Sequence, residues 1–171
     1  MRKIVFLLSI LLSIAYAQLP LNQKPPEVIL HDDIGCKING DPFSTKEIVG
    51  KVYYVVYVDP DEKDLNEKLN NAIKAKKYER NKYSSIAIIN LAATWLPNFA
   101  IEASLKSKQE KFPDTLYVKD FKKFLVKRWG LEDDTYNVLL FNKKGELIYQ
   151  LVGEASATQI EHILSLIEEN L

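Results

Sequence analysis

The run Val52-Tyr53-Tyr54-Val55-Val56-Tyr57-Val58 constrains this chain more than any other stretch. It is β-branched and aromatic throughout, with no alternation of apolar and polar residues. A strand with one wet face alternates; a strand that does not is buried on both faces and needs a covering layer on each. Ser85 to Leu91 has the same character. Between the two runs, Leu65, Leu69, Ala72 and Ile73 share one helical face while Lys and Glu occupy the other. Strand, amphipathic helix and strand in that order seed an α/β fold with a sheet between helical layers.

The rest of the chain extends this pattern. Glu27 to Leu30 and Lys37 to Ile38 read as two short strands joined around Gly35, an N-terminal hairpin in front of the main sheet. Asp41 to Val49 reads as a loop with one helical turn. Asp59, Pro60 and Glu62 have the arrangement of a capping box at a helix start. Asn98 can cap a helix that runs towards Lys111 and stops at Phe112-Pro113, and Leu116 to Val118 is a brief strand. Phe121, Phe124, Leu125 and Trp129 form a helical stripe ended by Gly130. Two strands, 138–141 and 147–149, flank Asn142-Lys143-Lys144-Gly145, a hairpin turn with glycine at its left-handed position. Ser156 and Gln159 form a second capping box, and Ile160, Ile163, Leu164, Ile167 and Leu171 supply the buried stripe of a last helix. A mixed central β-sheet flanked by helices follows from this order.

The chain begins Met-Arg-Lys, continues apolar from Ile4 to Ile14 and reaches Ala15-Tyr16-Ala17, the pattern of a secretory signal peptide cleaved after Ala17. The apolar stretch is far short of the about 20 residues that span a bilayer, so no stable membrane insertion is expected after cleavage. Residues 18–26 are a polar, proline-bearing lead-in, and residues 27–171 suit a single domain. The 171 residues hold 23 Lys+Arg and 23 Asp+Glu, and cleavage removes Arg2 and Lys3. A chain so nearly neutral, without a basic block, argues against nucleic acid as the partner. Cys36 is the only cysteine, so no internal disulfide forms and stability rests on the packed core.

The element order resembles the thioredoxin-like superfamily. Trp129-Gly130-Leu131, Val138 to Phe141, Lys144-Gly145-Glu146 and Val152-Gly153 carry the thioredoxin-like tail, and Gly50-Lys51-Val52 entering the first core strand resembles the peroxiredoxin and TlpA-like branch. Val49 to Val52, Asn66 to Ala75, Tyr83 to Asn90 and Asp134 to Glu146 further resemble the YtfJ family of exported bacterial proteins. The resemblance implies the fold and a periplasmic location; it implies no activity.

What the superfamily's chemistry requires is missing. Its C-x-x-C slot falls on Asp61 to Asp64 or on Glu62 to Leu65, and neither placement contains sulfur. A peroxiredoxin pattern counted from Pro60 puts Asp64 and Glu67 at the hydroxyl and cysteine positions. The place of the superfamily's cis-proline is taken by Tyr136, where a cis bond would cost about 2.5–4 kcal/mol. The expectation is therefore an exported, redox-inactive binding or adaptor module for a periplasmic protein or peptide, with no cofactor and no catalytic residue. The alternative is a one-cysteine thiol oxidoreductase or peroxidase using Cys36, although no local feature promises to stabilise its thiolate.

The candidate partner-binding residues are Asp59, Pro60, Asp61, Glu62, Trp95, Leu96, Phe99 and Tyr136. Trp95-Leu96-Pro97-Asn98-Phe99 follows a strand and opens a helix, where open α/β sheets present their ligand loops, and aromatic residues dominate binding hot spots. Asp59, Asp61, Glu62 and Asp64 crowd one helix start. Carboxylates at that density could hold Ca²⁺, but Lys63 sits among them and there is no EF-hand spacing. The expectation is capping, with no metal.

Overall fold

The computed structural model describes residues 19–95 and 97–171. The expected signal peptide, its cleavage point and the candidate Leu96 lie outside the described residues. Among the described residues, eight strands and four α-helices follow one another in the order β1 (Ile29–Leu30), β2 (Gly35–Lys37), β3 (Phe43–Ser44), β4 (Val52–Val58), α1 (Glu67–Lys76), β5 (Tyr83–Asn90), α2 (Asn98–Lys111), β6 (Thr115–Asp120), α3 (Phe124–Trp129), β7 (Tyr136–Phe141), β8 (Leu147–Val152) and α4 (Ala157–Asn170). Among the described residues no helix is long and apolar enough to cross a membrane.

Six strands form one mixed sheet in the order β2-β6-β5-β4-β7-β8. β4, β5 and β6 run parallel, with Val52 opposite Tyr83 and Ser85 opposite Thr115, whereas β2, β7 and β8 pair antiparallel to their neighbours. The non-alternating run of β4 is buried on both faces, as its composition requires. Val52, Tyr54, Val56 and Val58 face a core closed by Leu69 and Ile73 of α1, Ile101 and Leu105 of α2, and Ile163 and Ile167 of α4. Val55 and Tyr57 face a second core, closed by Leu125 and Trp129 of α3 and by Leu19, Val28, Leu30, Phe43 and Ile48 of the N-terminal segment.

The extra N-terminal antiparallel pair is present, but its strands are β1 and β3, with Leu30 opposite Phe43. The segment expected to pair with 27–30 instead joins the main sheet as β2, with Gly35 opposite Asp120 and Cys36 opposite Lys119. Gly35 makes this possible: a Cβ there would collide with the Lys119 carbonyl oxygen, so only glycine lets the edge strand come in so close. The β7–β8 turn is built on Asn142, whose Oδ1 accepts from the N–H groups of Lys144 and Glu146, with Gly145 at φ 79°.

The capping box expected at Asp59 does not form. Residues 60–62 make a single 3₁₀ turn, α1 begins only at Glu67, and the Asp59 side chain makes no capping bond because it turns into the protein. Asn66, at the start of α1, is likewise turned inward: its Nδ2 donates to the Gly153 carbonyl and its Oδ1 accepts from Ala155 N–H, which ties the helix to the β8–α4 loop. The second box is formed as expected, with Ser156 Oγ accepting from Gln159 N–H and the Gln159 side chain accepting from Ser156 N–H. α2 starts at Asn98, with Pro97 in the capping position.

Candidate functional site at the carboxyl edge of the sheet

Because β4, β5 and β6 are parallel, their last residues come out along one edge. Val58-Asp59, Asn90 and Asp120 meet there, together with Tyr136, which opens β7 opposite Val58. This is where a parallel sheet displays its ligand loops.

At this edge the strand-to-helix junction after β4 carries carboxylates. Cys36 lies on edge strand β2, three strand steps from β4, about 14 Å at roughly 4.8 Å per step. It is half-buried and away from the start of α1.

Around Asp59 the edge holds a compact polar cluster. Carboxylate oxygens of Asp59, Asp133 and Asp134 all lie within 4.8 Å of one another. Asn90 Nδ2 donates to Asp133 Oδ1 at 2.9 Å, and Lys123 Nζ donates to Asp133 Oδ2 at 2.6 Å. Asp59 is 3% exposed and Asn90 fully buried. Neither oxygen of Asp59 nor Asn90 Oδ1 has a hydrogen-bond partner of ordinary geometry among the described residues. Burial pushes the Asp59 carboxyl up to about 6; the nearby Asn90 amide opposes this, and the charges of Asp133 and Asp134 add to it. Burial also works against the Asp133 carboxylate, but its bond and charge interaction with Lys123 bring it below the usual range. The bond to Asp133 in turn raises the Lys123 ammonium.

Asp120, beside this cluster, is satisfied. Its Oδ2 accepts from Tyr57 Oη at 3.2 Å and Leu125 N–H at 3.0 Å, and its Oδ1 accepts from Lys122 N–H at 3.1 Å. Burial first, then the Asp120 carboxylate, raises the Tyr57 phenol far above its ordinary value. Asp120 supports the first turn of α3 and keeps the edge rigid.

A cavity of about 610 Å³ is lined by residues of α1, α2, β4 and β5. Its walls are largely apolar, and Tyr136 lies on its floor. There Asn70 links two phenols, accepting from Tyr54 Oη at 3.0 Å and donating to Tyr136 Oη at 3.2 Å. Pro60, from the 3₁₀ turn after β4, and Ala100, from the first turn of α2, both line this cavity.

The expected binding residues therefore separate into two groups. Asp59 and Tyr136 are buried, the first in the polar cluster and the second under the cavity, so neither presents an outer surface. Pro60 is half-buried in the cavity wall, Glu62 is half-buried and Asp61 is exposed. Trp95 and Phe99 project into solvent at 87% and 77% exposure. The Thr135–Tyr136 bond is trans, since no cis peptide bond occurs among the described residues. Sequence reasoning missed Asn90, Lys123, Asp133 and Asp134. Their only sequence signal is polarity at the ends of buried runs, and it is the strand order that brings them to Asp59.

A mixed sheet in this order, with helices on both faces and its loops gathered beyond the parallel strands, is a thioredoxin-like fold. Solved structures agree: a thiol peroxidase from Chromobacterium violaceum superposes with TM-score 0.64 at 11% identity, covering 90% of this chain and 88% of that one. The exposed lipoprotein thioredoxin Etrx1 of Streptococcus pneumoniae superposes with TM-score 0.59 at 14% identity, covering 84% and 99%. The chain belongs to the bacterial family of unknown function YtfJ_HI0045, whose model matches residues 19–170. It is 23% identical over 182 residues to the Escherichia coli (strain K12) protein described as Uncharacterized protein YtfJ, covering 100% of this chain and 98% of that relative.

Proposed function

We propose that this protein is an exported, periplasmic binding module that is inert in thiol chemistry and takes a protein or peptide partner at the carboxyl edge of its sheet. The observation that carries the reading is the pair of aromatic rings left in solvent, Trp95 before α2 and Phe99 in its first turn, with Ala100 of the same turn lining the cavity. Large aromatics that make no core contribution expose costly surface, and such residues are typical binding anchors. A redox role is disfavoured by the junction after β4, which carries Asp59 to Asp64 without a sulfur, and by the distance of Cys36 from it.

Two measurements test this. Purified protein assayed for insulin reduction and for peroxide consumption is expected to match buffer; turnover above buffer defeats the inert reading. Crosslinking in the periplasm, followed by partner identification, is expected to lose its products with Trp95→Ala and Phe99→Ala. Capture of the same partners at the same yield by both variants removes this surface from consideration.

A further inference from the structure

We propose that the carboxylates of Asp59, Asp133 and Asp134 bind a divalent cation of the hard, oxygen-seeking class, for which Ca²⁺ is the best match. This proposal stands or falls without the partner surface at Trp95 and Phe99.

The inference starts from an imbalance of donors and acceptors. Both oxygens of the buried Asp59 carboxylate lack a hydrogen bond of ordinary geometry among the described residues, and buried acceptors are nearly always satisfied. They sit beside two more carboxylates, each offering an oxygen within 4.8 Å of the others. Such a collection of acceptors, short of donors, is what a cation satisfies and what a hydrogen-bond network does not. The acids carry three negative charges and Lys123 returns one, so the remaining excess of two matches a divalent ion.

The donor set selects the ion. Three carboxylates, with no sulfur or imidazole, suit Ca²⁺, Mg²⁺ or Mn²⁺ and disfavour softer metals. Several carboxylates of unequal reach fit the flexible coordination of Ca²⁺ better than the strict octahedron of Mg²⁺, which usually takes one or two carboxylates and keeps its waters. The ligands are also well held. Asp59 directly follows the parallel strand β4, while Asp133 is fixed by Asn90 and Lys123. Asp134, exposed and at φ 52°, is the side from which an ion enters.

The test is isothermal calorimetry of the chelator-stripped protein with CaCl₂, MgCl₂ and MnCl₂ in separate titrations, alongside melting curves. One-to-one saturation by Ca²⁺ is expected with a dissociation constant of about 10⁻⁵–10⁻³ M, together with a rise in melting temperature that grows with concentration. Asp134→Asn keeps the left-handed backbone accessible and lies on the surface, so it is expected to fold normally and to weaken binding tenfold or more. Lys123→Gln frees Asp133 Oδ2 and removes the competing charge, and is expected to tighten binding several-fold, a gain that mere destabilisation cannot mimic. The proposal is overturned by absence of heat and of any melting shift with all three salts at about 10 mM, well above the range of known extracellular Ca²⁺ sites. It is equally overturned by unchanged affinity in Asp134→Asn or by weaker binding in Lys123→Gln.

Discussion

Replacing Asp59 by Asn is expected to stabilise the protein at neutral and alkaline pH. Burial raises the Asp59 carboxyl from 3.8 to about 6, which corresponds to about 3 kcal/mol against the charged form at 1.36 kcal/mol per pH unit. The cluster is open to solvent at Asp134, and screening there reduces the usable gain to about 1–2 kcal/mol. The sign follows from proton binding. Between pH 3.8 and about 6 the folded form keeps a proton that the unfolded chain releases. The contribution of Asp59 is therefore fully present below 3.8 and is lost as pH rises through about 6. Asparagine carries no such charge, and its side-chain oxygen can still accept from the Asn90 amide. For a domain of this size the gain amounts to about 2–8 °C in melting temperature. Differential scanning calorimetry of both proteins in chelator at pH 8 and at pH 5 checks this. The variant should melt higher at pH 8, and its advantage should shrink at pH 5, where the wild-type carboxyl is largely neutral. A variant that melts lower at both values, or by a margin independent of pH, refutes the reasoning.

Three further substitutions probe the frame that holds this edge. Asn66→Ala removes two bonds to the β8–α4 loop and leaves the buried Ala155 N–H unpaired; a loss of about 2–3 kcal/mol is expected, read as a lower urea midpoint with unchanged slope. Trp129→Ala strips a side chain that packs on Phe141 and donates to the Pro26 carbonyl, with an expected loss of about 3–5 kcal/mol in the same assay. Gly145→Ala forces a side chain into φ 79° and puts its Cβ 2.6 Å from the Ile48 carbonyl oxygen. A loss of about 1–3 kcal/mol is expected in thermal melts.

Most of the fold was legible because its signals are local. The unbroken apolar run of β4 demands cover on both faces, the Ser156–Gln159 box starts α4 by contacts within one turn, and the Asn142–Gly145 turn sets its hairpin. Two local signals were overridden. Asp59 has the residue type and spacing of an N-cap, yet its side chain turns inward at the end of β4 and leaves the turn uncapped. The strand around Cys36 pairs with β6 because Gly35 permits a contact with Lys119 that no short-range pattern announces. The polar cluster was hidden for the same reason. Residues 59, 90, 123 and 133–134 share no motif, and only the order of parallel strands brings their ends together. The exposed Trp95 and Phe99, by contrast, stand out in the sequence because aromatics at the end of a buried strand break its boundary.

The second core also sets a timetable for synthesis. Leu19, Val28, Leu30, Phe43 and Ile48 are made early, yet the side chains that shelter them, Leu125, Trp129, Leu139, Phe141 and Leu147, are made late. The indole bond from Trp129 back to Pro26 spans 103 residues. A nascent chain must carry those early apolar residues without their native cover until the final third has been translated. Such long-range closure slows folding and prolongs exposure to aggregation.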